Sequence, residues 1–124
     1  MSPANIRLGS VSLDCADPHP LADFWATLLH GEIAYRSDTF VAVNLGNIWL
    51  TAITVENFVP PTWPDDESPK QIHFDLAVKD LGAAAEEALA LGATRCAVQP
   101  DPDTYLVFLD PAGHPFCLTT QIPD

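Results

Sequence analysis

Between Ser10 and Asp17 apolar and polar residues alternate, with Val11, Leu13 and Cys15 as the apolar set. The same alternation returns from His73 to Asp80, carried by Phe74, Leu76 and Val78. A period of two is that of a half-buried strand. Each run closes on an aspartate, Asp17 or Asp80, whose carboxylate can accept the free amides of a first helical turn. Pro18 then suits an early helical position. Beyond these caps the period lengthens. Leu21, Phe24, Trp25, Leu28 and Leu29 form one helical stripe, and Leu81, Ala84, Ala85, Ala88 and Leu89 form another. Gly31 and Gly92 are expected to end the helices, because a left-handed residue there costs glycine little. Three strand-like runs follow in each half: 33–36, 40–44 and 48–55, then 94–98, 104–109 and 115–120. The last run of each half is entered through a glycine turn, at Gly46-Asn47 and Gly113-His114.

The chain is thus an internal repeat, two tandem β-α-β-β-β modules of an α+β fold. Module one is expected at about residues 5–56 and module two at about 71–121. A proline- and acid-rich linker without periodicity, at about 57–70, separates them. With 124 residues the two modules are expected to make one domain. Trp63, inside the linker, is either a surface anchor or part of a lid.

Charge narrows the partners. Seventeen acidic residues against five basic ones give a formal charge of −12. Nucleic acid and anionic membrane surfaces would be repelled, so neither is an expected partner, whereas a cationic ligand would be favoured at long range. No apolar run reaches the roughly 20 residues of a membrane span. No secretory signal is visible near Met1, and the odd number of cysteines (Cys15, Cys96, Cys117) argues against a disulfide framework. A cytoplasmic location is the expectation.

Two β-α-β-β-β units of this size resemble the vicinal-oxygen-chelate superfamily of glyoxalase I, bleomycin-resistance proteins and extradiol dioxygenases. The likeness is strongest to small bacterial glyoxalase-like proteins. It is carried by Leu13-Asp14-Cys15-Ala16-Asp17-Pro18, Leu21-Ala22-Asp23-Phe24-Trp25, Ile72-His73-Phe74-Asp75-Leu76, Leu91-Gly92-Ala93-Thr94 and Asp110-Pro111-Ala112-Gly113-His114-Pro115-Phe116-Cys117-Leu118. The resemblance implies a curved mixed sheet around a ligand cleft, and a homodimer.

In metal-dependent relatives each module supplies two ligands, one on its first strand and one on its last. Counting seven residues back from each closing aspartate gives Ser10 and His73. Counting four residues on from each turn glycine gives Leu50 and Cys117. Only His73 is a usual ligand of that family, and leucine offers no lone pair. A catalytic ion needs about three protein ligands. The resemblance therefore implies no cofactor and a metal-free protein binding a small, partly apolar and perhaps cationic organic molecule. If a divalent ion is held, His73, Asp75 and Cys117 would hold it. The alternative is a lyase or isomerase with that atypical metal set, or a metal-free catalyst using His73 and Asp75 as acid and base.

On the implied cleft face stand Ser10, Ser12 and Asp14 from one strand and His73, Asp75 and Ala77 from its repeat. Ser10, Ser12, Asp14, Leu50, His73, Asp75 and Cys117 are the candidate ligand-binding residues, with Tyr105 or Phe108 adding apolar area. Asp14 and Asp75 could pair with a cation or simply lie at strand ends in water. Cys15, of opposite parity, is expected to be a buried structural thiol.

Overall fold

The computed structural model describes residues 5–123. The chain divides into two compact units, Met1–Glu56 and Asn57–Asp124. In unit 1 the elements are β1 (Ser10–Cys15), α1 (Pro18–Leu28), β2 (Glu32–Arg36), β3 (Phe40–Asn44) and β4 (Trp49–Thr54). The sheet order is β1-β4-β3-β2, with β1 parallel to β4 and the other pairs antiparallel. Unit 2 repeats the path with β5 (Phe74–Ala77), α2 (Leu81–Ala90), β6 (Thr94–Arg95), β7 (Tyr105–Leu109) and β8 (Pro115–Thr119). Its order, β5-β8-β7-β6, has the same parallel and antiparallel pattern.

Both helix starts follow the expected chemistry. Asp17 Oδ1 accepts from the His19 amide at 3.1 Å, and Asp80 Oδ1 accepts from the Ala83 amide at 3.0 Å. The helix ends differ from each other. Gly92 is the left-handed residue after α2, with φ of 111°, but after α1 that place belongs to His30, at φ 58°. The following amides, Gly31 and Ala93, donate to Ala26 and Ala88 in equivalent bonds of 2.8 and 3.0 Å. Gly31 is therefore not the left-handed residue. Its missing side chain lets the chain pass under the β3–β4 turn, since a Cβ there would lie 2.7 Å from Leu45 Cδ2 and 2.8 Å from the Asn44 carbonyl oxygen.

In unit 1 the alternation places Leu13, Cys15, Val41, Val43, Leu50 and Ala52 in the core with Leu21, Ala22, Phe24, Trp25 and Ala26 of α1. Phe24 and Trp25 meet edge to face at 5.0 Å, and burying each such side chain contributes about 1.5–3 kcal/mol. Arg36 lies on this same side, reaching across to α1, where it pairs with Asp23 and lies 3.0 Å from His19 Nδ1. In unit 2 the bulk sits on the sheet instead. Leu106, Phe108, Phe116 and Leu118 are buried, and the phenyl rings of Phe108 and Phe116 stack at 5.8 Å. Facing them, α2 buries only Ala85 and Ala88, while Leu89 is exposed.

Two expected elements change. The strand expected over 94–98 is two residues long, because the side chain of Gln99 takes over the ladder. Its amide nitrogen donates to the Val107 and Cys96 carbonyls at 2.9 Å, and its oxygen accepts from the Val107 amide at 2.8 Å. The stretch expected to be a plain linker is a closed loop within unit 2. The Thr62 amide donates to the Ser68 carbonyl at 2.7 Å, and the Ser68 amide donates to Thr62 Oγ1 at 2.9 Å. At the β7–β8 turn, Gly113 combines a φ of 95° with a close approach, since a Cβ would lie 2.9 Å from that of Pro60. Asp110, buried beside it, accepts from the Ala112 and His114 amides at 3.0 and 2.9 Å.

Candidate functional site

Strand register decides which side chains share a face. In unit 2 Asp75 stands opposite Cys117, Cys117 opposite Val107, and Ala77 opposite Thr119. His73, two residues before Asp75, has the same parity. This face lines a pocket of about 490 Å³, with Trp63, Lys70, Tyr105 and Ile122 completing much of the wall. That volume lies within the usual range of small-molecule sites, and its mix of rings and a few convergent polar groups is their usual lining.

On the pocket floor His73 Nε2 lies 3.1 Å from Asp75 Oδ1, with both side chains partly open to solvent. Cys117 is buried, at 9% exposure. One donor atom from each of the three falls within 4.8 Å of the others. The Cys117 thiol is pushed up to about 11, first by burial, then by the negative charge of Asp75 and the hydrogen bond to it. Lys70 pulls the other way without reversing the shift. A thiol in that state is a poor nucleophile near neutral pH.

Unit 1 answers each of these residues with a hydroxyl. Ser10 and Ser12 hold the places of His73 and Asp75, and Ser12 stands opposite Thr51 as Asp75 stands opposite Cys117. Ser10 Oγ and Thr51 Oγ1 are 3.4 Å apart. Asp14 is exposed on this face, whereas Cys15 is fully buried with its thiol donating to the Ile53 carbonyl. The expectation for Leu50 is corrected: it pairs with Val11 and Val43 and is 2% exposed in the core, on the face opposite Ser10 and Ser12. The counting rule fails because the glycines sit at different places in their turns. Leu45 and Ile48 close the first turn where Asp110 and His114 close the second, so Gly46 lies two residues before the end of its turn and Gly113 only one. A one-residue slip moves a side chain to the other face of a strand. Phe108 is corrected for a related reason, since it pairs with Phe116 in the core while Tyr105 lines the pocket.

Pocket residues without a candidate role in the sequence include Lys70 and Ile122. Lys70 sits in the stretch read as linker, and its one signal is to be a rare cation in an acidic chain. Ile122 follows the last strand. Outside the pocket, Thr51 of unit 1 holds the place of Cys117 and was missed by the count from the turn glycine. Trp63, open between anchor and lid, lines the pocket wall.

The residues present do not fit the two-plus-two ligand set of metal-dependent relatives. Unit 1 has only neutral hydroxyls at the three equivalent places, and these hold a divalent ion weakly beside carboxylate, imidazole or thiolate.

The sequence profile of the glyoxalase-like domain matches residues 10–119. No curated protein sequence matches significantly. Among solved structures, the chain is similar to the fosfomycin resistance protein FosX of Mesorhizobium loti, with 18% identity, a TM-score of 0.69, and coverage of 94% of this chain and 92% of that one. It is similar to a variant of FosX from Listeria monocytogenes, solved with Mn(II) and a dihydroxypropylphosphonic acid, at 17% identity and a TM-score of 0.69, covering 94% and 93%. A glyoxalase/bleomycin resistance protein/dioxygenase family enzyme from Burkholderia phytofirmans matches at 14% identity and a TM-score of 0.68, covering 91% and 97%. Identities this low speak for the fold, and they agree with the profile. This chain belongs to the glyoxalase-like domain family, within the vicinal-oxygen-chelate superfamily.

Proposed function

We propose that this protein binds a small organic molecule in the pocket of unit 2, without the four-ligand catalytic ion of its metal-dependent relatives. The observation that carries this reading is the pocket itself: about 490 Å³, with Trp63 and Tyr105 as apolar walls over the polar group of His73, Asp75 and Cys117. A ligand with a flat apolar body and a cationic or hydrogen-bond-donating group suits that lining, with Asp75 as the acceptor. Ser10, Ser12 and Asp14 remain candidate ligand-binding residues on the corresponding face of unit 1. Two modules acting as one domain, a homodimer and a reducing cytoplasmic setting complete the reading. Its support is the repeat, two edge strands in each sheet and three free cysteines. Among the described residues no helix is long and apolar enough to cross a membrane.

A second reading, a lyase or isomerase, is favoured by the His73–Asp75 pair, which offers a proton donor and acceptor 3.1 Å apart at the pocket floor.

The test is a thermal-shift screen of metal-free protein against cationic and neutral ring compounds. A binder present at 100 times its Kd adds about 2.7 kcal/mol, which raises the midpoint by roughly 10 °C. Trp63→Ala should abolish most of that gain. No stabilisation by any pocket-sized compound, or gains unchanged in Trp63→Ala, would overturn the proposal.

A further inference from the structure

The misfit with the family's ligand set points to a different set of donors, confined to unit 2. We propose that unit 2 alone binds a thiophilic divalent ion, zinc above all, through His73 Nε2, an Asp75 carboxylate oxygen and Cys117 Sγ. The proposal builds on the reading of the pocket as a ligand site, because the ion's open position would face the small molecule held there.

Three observations carry it. First, the donor types are an imidazole, a carboxylate and a sulfur, a combination suited to zinc or cobalt and poorly suited to magnesium or manganese. Second, the backbone holds two of the three donors in place: Asp75 and Cys117 are direct partners on the parallel β5–β8 pair, and His73 precedes Asp75 by one pleat. Third, the donors already converge. Tetrahedral zinc holds its ligand atoms roughly 3.5 Å apart. His73 and Asp75 stand at 3.1 Å, and all three donor atoms lie within 4.8 Å of one another. The side chains of His73 and Asp75 are 35% and 51% exposed, so each has room to turn toward an ion above the buried sulfur.

Three protein ligands leave the fourth position of a tetrahedral ion open, and here that position would face the pocket bounded by Trp63 and Tyr105. The class of molecule this adds is a chelating one, a ring or chain carrying an oxygen or nitrogen able to reach the ion. At the three equivalent places unit 1 offers only Ser10, Ser12 and Thr51, which bring no charge or soft donor.

The experiment uses cobalt as the probe. The full chain, stripped of metal, is titrated with Co²⁺ and followed by visible and near-ultraviolet absorption. One equivalent should give the intense d–d bands of four-coordinate cobalt together with a thiolate-to-cobalt charge-transfer band. Zinc should displace it, and manganese at a hundredfold excess should not. Cys117→Ser should lose the charge-transfer band and Cys96→Ser should keep it. His73→Ala, at a partly exposed residue, should weaken uptake at least tenfold, and it carries the test if the buried serine variant fails to fold. Absence of the charge-transfer band at stoichiometric cobalt would overturn the proposal. So would its survival in Cys117→Ser, wild-type affinity in His73→Ala, or equal competition by manganese. The two proposals fail separately. Organic binders found in metal-free protein uphold the pocket even if cobalt is refused, whereas cobalt uptake without any organic binder upholds only the ion site.

Discussion

The two units follow one path through space but spend their side chains in opposite ways. Unit 1 puts bulk on the helix, with Phe24 and Trp25 set over Val41, Val43 and Ala52. Unit 2 puts bulk on the sheet, with Phe108 and Phe116 under Ala85 and Ala88. A core needs its volume filled, and either layer can supply the filling. On the opposite sheet face the division is chemical: three hydroxyls in unit 1 stand where unit 2 has an imidazole, a carboxylate and a thiol. The two units thus share a scaffold and differ in the chemistry of that face.

The sharpest way to break the packing half of this comparison is to exchange the bulk. Trp25→Ala should destabilise the protein by about 3–5 kcal/mol in urea unfolding. Ala88→Leu, which enlarges the equivalent layer of unit 2 against rings already in place, should also destabilise, by about 1–3 kcal/mol. A stabilising Ala88→Leu would show that the α2 layer is underfilled rather than matched to its sheet.

Next in size is the register of β4. Leu50→Ala should lose about 2–5 kcal/mol as a core truncation, while its half-buried neighbour Thr51→Ala should lose under about 1 kcal/mol. Equal losses would mean that the two faces of β4 are not divided as described.

A smaller effect compares the helix ends. His30→Gly should stabilise by about 1 kcal/mol, because a non-glycine residue in the left-handed region carries a penalty of that order. Gly92→Ala should do the reverse, its φ of 111° lying where an L side chain is strained.

A further effect concerns pH in metal-free protein. The Cys117 thiol titrates at about 11 in the fold against an ordinary value of 9.0. Its neutral form therefore favours the folded state at every pH below 9, and that contribution is lost as pH rises from 9 through about 11. Wild type should lose stability across this window relative to Cys117→Ser. Over the same range the alkylation rate of Cys117 should climb, having been slower near pH 8 than that of the unfolded chain.

Much of the fold was legible because the repeat states it twice. Strand parity, the caps at Asp17 and Asp80, and the order of elements all rest on local chemistry that a linear pattern carries. The site was legible only where parity alone decides, as for His73 and Asp75 on one face. Leu50 was misplaced because Gly46 stands one residue further from the end of its turn than Gly113 does, and nothing local in the sequence reports how a turn closes. Phe108 and Tyr105 differ by an odd number of residues, so only one of them could line a given face, but the register was needed to say which. Lys70 and Trp63 reach the pocket through a loop closed by Thr62 and Ser68, and such long-range closure leaves no periodic trace. His30, taking the left-handed place beside a glycine, shows the same limit at the scale of one turn.

The central proposal is that the ion site lies in unit 2 alone. It is tested most directly by backbone amide NMR spectra of the intact, nitrogen-labelled chain with and without one equivalent of zinc. The expected result is a set of shifts confined to residues around His73, Asp75, Val107 and Cys117, with Ser10, Ser12 and Thr51 unmoved. Shifts of comparable size at those three unit 1 residues, or no shifts at all, would contradict it.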